Sequence, residues 1–194
     1  MNPARLHELL ACLWAAFGLY WVVSAARGTH ATKSGEASAY RLFRIPVLAL
    51  IFILLLTKWL RIGPLAWRFI PDGDVTRGLG LALTVIGIAT AVWARRHLGR
   101  YWSDKVVLKV DHKLIRSGPY TYMRHPIYSG VLLGVAGTAL AVGEWRGVLA
   151  FAMLAINYSL KARKEERLLS TQFAQEFEVY KRHSGFLIPR FGRR

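Results

Sequence analysis

Two short segments of this chain hold residue types that can do chemistry together. The first is Arg124-His125-Pro126-Ile127-Tyr128, followed at one remove by Gly130. A proline pushes the residue before it towards extended backbone and suits the first turn of a helix. Pro126 therefore predicts a helix start, with His125 at its mouth. Free backbone N–H groups at such a place favour an anion, for example a carboxylate. The second segment is Glu165-Glu166, which follows the basic run Lys161-Ala162-Arg163-Lys164. Adjacent carboxylates among cations read first as ordinary surface charge. If their helix packs on the first segment, a Glu can instead bind a pair of hydroxyls or an ammonium group. Where a reaction needs a general base, Glu165, Glu166 and His125 are the candidates.

Several other chemistries lack their residues. None of the six histidines makes an HExxH or paired ligand spacing, so no metal is expected. Cys12 is the one cysteine, which excludes a CxxC site and a disulfide scaffold. No serine lies in a GxSxG elbow. Gly78-Leu79-Gly80 has neither the third glycine nor the preceding strand of a dinucleotide fingerprint.

The elements that must position these residues are apolar. The chain has 194 residues, 54% of them hydrophobic, with a formal net charge of +16. That apolar content excludes disorder. The basic residues fall between apolar runs and no nucleic-acid-binding motif is present, so no nucleic acid is expected as a partner. Apolar runs cover about residues 9–26, 45–60, 78–94, 127–143 and 145–160. Each is at the short end for a membrane span. Trp21, Trp59, Trp67, Trp93 and Trp145 lie near run ends, where an amphipathic ring meets the interface. The first run has a small-residue sequence at Ser24-Ala25-Ala26 like a cleavage site, but its aromatics and the spans after it favour a retained helix.

Of the 27 Lys and Arg, 21 fall in the first loop, the third loop and the tail from Lys161. The positive-inside rule then puts the N-terminus outside and the third loop and C-terminus in the cytoplasm. Small residues in the fourth run (Ser129, Gly130, Gly134, Ala136, Gly137) let another helix come close. The fourth and fifth runs must form a tight hairpin. Past Leu160 the fifth continues with Leu168, Leu169, Phe173, Phe177 and Tyr180 on helical spacing, an amphipathic helix resting on headgroups or folding back on the third loop. The expected fold is an all-α integral membrane protein of about five transmembrane helices with a cytoplasmic C-terminal region. Its organisation is three N-terminal helices in 1–94 and a functional core in 95–194.

The joint pattern His112, Gly118-Pro119-Tyr120, Arg124-His125-Pro126-Ile127-Tyr128, Gly130, Glu165-Glu166, Phe173, Tyr180 and Ile188-Pro189 resembles the isoprenylcysteine carboxyl methyltransferase family. Membrane phospholipid methyltransferases share part of it. The segment from Trp14 to Trp21 is similar to that of bacterial members. The resemblance implies S-adenosylmethionine as methyl donor and makes the cytoplasmic C-terminal region a cofactor-binding region. It places cofactor contacts at His112, Lys113, Leu114, Ile115, Tyr120, His125, Pro126, Ile127, Tyr128 and Glu165. The family's substrate-facing Arg falls at Lys161, which keeps the charge but loses the planar fork. Lys161, Arg163 and Glu166 are then the candidates for acceptor and catalytic roles. Ala174 stands where many members have Gly. The implied partners are the lipid bilayer and a small or lipophilic methyl acceptor, whose carboxylate, amine or thiol nature the residues leave open. Tyr120 and Tyr128 can stack on adenine or face a sulfonium. Tyr122 and Arg124 read equally as interfacial and snorkelling anchors, and His97 and His183 as surface residues.

Overall fold

The computed structural model describes residues 2–26, 32–34, 38–57, 59–99, 102, 108–109 and 114–192. Five helices carry it: α1 (Pro3–Ala26), α2 (Ser38–Leu56), α3 (Asp74–Leu98), α4 (Pro126–Val142) and α5 (Trp145–His183). A short antiparallel pair, β1 (Thr32–Ser34) with β2 (Leu108–Lys109), links the two basic loops. That pair is an addition to the all-α expectation.

Each helix matches an apolar run, with ends extended by polar residues. α1 and α3 are long and apolar enough to cross a membrane, while Ile45–Leu56 and α4 are shorter apolar helices. The 17 residues of α4 rise about 25 Å, a little less than a hydrocarbon core of about 30 Å. The clear spans among the described residues are thus fewer than the five apolar runs.

The tightest packing lies between α3 and α4. A Cβ at Gly130 would stand 2.6 Å from Ala91 N, and one at Gly137 would stand 2.5 Å from Thr84 N. The two backbones touch, and only glycine fits at those positions. The small residues of the fourth run therefore admit α3. Within this contact Trp14 Nε1 donates to Thr138 Oγ1 at 3.0 Å, and Thr138 Oγ1 lies 3.1 Å from Thr84 Oγ1. A buried polar chain so joins α1, α3 and α4, with every partner supplied from protein in a place where water is scarce. Ile51, Leu55, Val135 and Leu154 fill the apolar centre beside it.

The hairpin between α4 and α5 turns at Gly143, whose φ of 71° is the left-handed conformation that closes a helix. α5 then runs 39 residues, past the apolar part and into the charged tail, as the spacing of the tail predicts. Its one break is Ala174, at φ 27° and ψ −101°. Beyond this kink the last turns fold back on the third loop, where Tyr180 donates to the Tyr120 carbonyl at 2.6 Å. Of the two dispositions open to this helix, the structure has the second.

Candidate active site

The site forms where the N-terminus of α4 meets the first charged turns of α5. Proline at the first position of α4 starts the helix, and His125 caps it with φ −125° and ψ 56°. This is not the extended backbone that Pro126 alone favours; the ring is drawn inward by two carboxylates. His125 Nε2 lies 3.2 Å from Glu166 Oε1, and Nδ1 lies 3.6 Å from Glu165 Oε2. Both glutamates therefore pair with the His125 ring at this helix mouth.

Glu165 and Glu166 are adjacent on a helix and diverge around His125. Glu165 accepts from Tyr128 Oη at 2.6 Å and stands 3.9 Å from Lys161 Nζ, one turn earlier. Tyr128 stacks on His125 with centroids 5.5 Å apart and on Tyr158 with centroids 4.7 Å apart. Lys161 Nζ lies 5.6 Å from the Tyr128 ring centroid, close enough for a cation–π contact. Lys161 is buried despite its charge, so the carboxylate and the ring face must hold it there.

Glu166 accepts from Arg124 Nε at 2.5 Å as well as from His125. Burial pushes its carboxyl pKa up, but the hydrogen bonds from His125 and Arg124 outweigh that, and the carboxyl sits below its ordinary value. Arg124 also ties in the C-terminal strap. It donates to the Ser184 carbonyl at 2.5 Å, and its backbone N–H donates to the Gly185 carbonyl at 2.9 Å. Gly185 N–H returns a bond to the Tyr122 carbonyl at 3.0 Å, and Ser129 Oγ donates to the Leu187 carbonyl at 2.5 Å. Phe186 on this strap meets His125 edge to face at 5.3 Å. The strap meets the cluster through Phe186 and Leu187, whereas Ile188, expected to close the core of the tail, is 80% exposed.

The candidate residues divide. His125, Tyr128, Lys161, Glu165 and Glu166 come together. Arg163 is exposed and, two residues round the helix from Lys161, leaves in another direction. Tyr120 is buried, and burial raises its phenol pKa; its Oη lies 3.5 Å from the Ala94 carbonyl. Ile115 and Ile127 pack with it against Ala94 and Trp102. Pro126 is buried at the helix start, and Leu114 is half-buried. His112 and Lys113 lie outside the described residues. Tyr122 is 45% exposed and lies against Phe191, with ring centroids 5.3 Å apart and the planes tilted by 45°. Exposed His97 has its ring beside Ser117 Oγ, at 2.9 Å. Arg124, Tyr158 and Phe186 were missed as site residues. Tyr158 had a signal, since it sits three residues before Lys161 on one helix face.

The donor set suits an adenosyl sulfonium. Glu165 keeps acceptor capacity on a partly exposed carboxylate, and aromatic faces are stacked beside it. One turn towards the membrane from Lys161, Asn157 Oδ1 is buried with no partner among the described residues. Among those residues no three His, Cys, Asp or Glu are grouped to hold a metal.

Residues 80–171 match the isoprenylcysteine carboxyl methyltransferase (ICMT) family, as the motif resemblance implies. The "Cobalt-zinc-cadmium resistance protein CzcN" of Cupriavidus metallidurans is 34% identical over 122 residues, 61% of this chain and 53% of that protein. A "Probable protein-S-isoprenylcysteine O-methyltransferase" of Oryza sativa subsp. indica is 33% identical over 112 residues, 55% of this chain and 59% of that protein. The chain thus spans a little over half the length of these relatives. The solved structure of the eukaryotic intramembrane Ras methyltransferase ICMT superposes with a TM-score of 0.57 at 19% identity, covering 81% of this chain and 54% of that one. The membrane fold is shared.

Proposed function

We propose that this relative of the isoprenylcysteine carboxyl methyltransferases is itself an S-adenosylmethionine-dependent methyltransferase that methylates a carboxylate on a lipophilic, isoprenylcysteine-like acceptor. The observation that carries the reading is the meeting of His125, Tyr128, Lys161 and Glu165 at one point between α4 and α5. Residues 95–194 hold this chemistry, on a scaffold made by the helices of 1–94.

S-adenosylmethionine, when bound, supplies a methyl group already activated on a sulfonium. Glu165 is placed to bind the ribose hydroxyls, and the stacked Tyr128 and Tyr158 offer ring faces to the adenine or the sulfonium. A carboxylate acceptor is already deprotonated near pH 7, so no general base is required of Glu166. Its low pKa suits an orienting anion that fixes His125. Lys161 is positioned to hold the acceptor carboxylate, and Asn157 Oδ1 to take a hydrogen bond from the acceptor's neighbouring N–H or O–H. Desolvation under the strap and positioning supply the rate.

The proposed topology has the N-terminus outside, five crossings and the site at the cytoplasmic surface. A lipophilic acceptor then reaches Lys161 sideways from the bilayer. The test is calorimetric titration of S-adenosylmethionine into detergent-purified protein, with NADPH as control. Saturable binding of S-adenosylmethionine alone, weakened in Glu165→Gln, is expected. Binding of NADPH instead would replace methyl transfer with a reductase. Binding of neither, in detergent and in native lipid, would leave the fold as a scaffold.

A further inference from the structure

At the other end of the helix bundle, about 25 Å along α4 from His125, lies a cavity that methyl transfer does not use. It has a volume of about 680 Å³ and is enclosed by the start of α1, the loop between α2 and α3, and the turn between α4 and α5. Its walls are of two kinds. One is apolar, with Leu6, Leu10 and Ala11 of α1 facing Ala141. The other carries four guanidiniums, from Arg61, Arg68, Arg77 and Arg146.

These arginines are held by three carboxylates, Glu144, Asp72 and Asp74. Glu144 is shared by Arg61 at 2.9 Å and Arg146 at 2.6 Å. Asp72 is shared by Arg68 at 3.3 Å and by Arg77, which also stands 3.5 Å from Asp74. The third acidic residue of the lining, Glu8, is exposed on α1. Arg146 is buried and spends further donors on the carbonyls of Leu54 and Thr57. Arg61 is different: its side chain is 51% exposed and reaches Glu144 through Nε. A guanidinium has five N–H donors in a planar fork that matches phosphate oxygens. The carboxylates thus fix the four forks in place, and Arg61, engaged through Nε, presents its exposed terminal N–H groups at the cavity.

The depth of the cavity is marked by Trp67 and Trp145, 66% and 48% exposed on the same loop and turn. Exposed indoles at helix ends belong at headgroup level. We infer that this cavity binds a phosphate group, and that the apolar wall of α1 makes a phospholipid the source, with its headgroup on Arg61 and an acyl chain along Leu6 and Leu10. The site is independent of the methyltransferase reading, and methyl transfer is not its readout.

The test uses full-length protein, delipidated in neutral detergent and followed by thermal unfolding. It is titrated with phosphatidylglycerol, with diacylglycerol of the same chains, and with inorganic phosphate. Phosphatidylglycerol is expected to raise Tm saturably and diacylglycerol to leave it unchanged. Arg61→Ala is expected to weaken the phospholipid response about tenfold, as loss of a charge-assisted contact does. Ala11→Trp, which fills the apolar wall and leaves every charge, is expected to abolish the lipid response at unchanged unliganded Tm. A saturable response to inorganic phosphate, lost in Arg61→Ala and no greater with lipid, would uphold the phosphate site and make its source soluble. Equal responses to phosphatidylglycerol and diacylglycerol, no response to any ligand, or phospholipid affinity unchanged in both variants, would overturn the inference.

Discussion

Arg124 Nε stands 2.5 Å from Glu166 Oε1, and the same guanidinium reaches the Ser184 carbonyl at 2.5 Å. One side chain thus locks the α5 helix to the strap that follows it. Both partners are largely buried, so removing one strands the other's charge. Arg124→Ala is expected to cost about 3 kcal/mol in urea unfolding. It should also speed tryptic cleavage at Arg182 and Arg190. A variant that cleaves no faster than wild type would show that the strap is seated without this pair.

The depressed pKa of Glu166 has a pH consequence. A carboxyl whose folded pKa lies below its unfolded value contributes stability that is present above the unfolded pKa and lost as pH falls through the folded one. The unfolded value is about 4.3. Wild-type stability should therefore fall below about pH 4 partly through Glu166. In Glu166→Gln, urea midpoints should show a shallower acid slope there. Equal slopes would mean that Glu166 gains nothing from His125 and Arg124.

Much of this arrangement could be read before the fold was known. Pro126 placed the α4 start, and the tail periodicity placed the α5 extension, because both rest on local backbone rules. The meeting of Glu165 with Tyr128 followed only if α5 packed on the third loop, and the fold makes that true. The roles of Arg124 and Tyr120 were not legible. A snorkelling cation and a buried latch have the same sequence signature, and a tyrosine beside a proline does not reveal whether its ring faces ligand or core. The Arg61–Glu144–Arg146 group was hidden because its members are distributed over a loop, a turn and the start of α5.

The two faces of the site should separate in binding and kinetics. Tyr128→Phe removes the 2.6 Å bond to Glu165 but keeps the stacked ring. S-adenosylmethionine affinity is expected to fall about threefold to tenfold, the net worth of one ordinary hydrogen bond of about 1 kcal/mol. Lys161→Ala is expected to raise KM for a carboxylate acceptor at unchanged donor affinity, and Lys161→Arg to restore it. Loss of donor affinity in Lys161→Ala would move Lys161 to the cofactor side.

The α3–α4 contact sets a sharper structural test. At Gly137 a methyl group would meet Thr84 N at 2.5 Å and Gly80 O at 2.6 Å. Backbone cannot give way as a side chain can, so the helices must part. Gly137→Ala is expected to destabilise by about 3 kcal/mol. It should also break the Trp14–Thr138 bond, visible as a shift in tryptophan emission. A stable variant with unchanged emission would mean that the helices tolerate wider spacing.

Ala174 carries the opposite expectation. Its φ of 27° lies where a Cβ clashes with the backbone and glycine does not. The last turns of α5 need this kink to bring Tyr180 onto the Tyr120 carbonyl, so the strain is held by that contact. Ala174→Gly relieves it without moving the helices, and should stabilise the protein by about 1 kcal/mol. Ala174→Val, branched at Cβ, should destabilise it. The two substitutions have opposite effects only if the kink is strained; in a regular helix both would destabilise, glycine by about 1 kcal/mol through lost propensity. Urea midpoints of the pair against wild type decide between these, and a lower midpoint for Ala174→Gly would place residue 174 in ordinary helix.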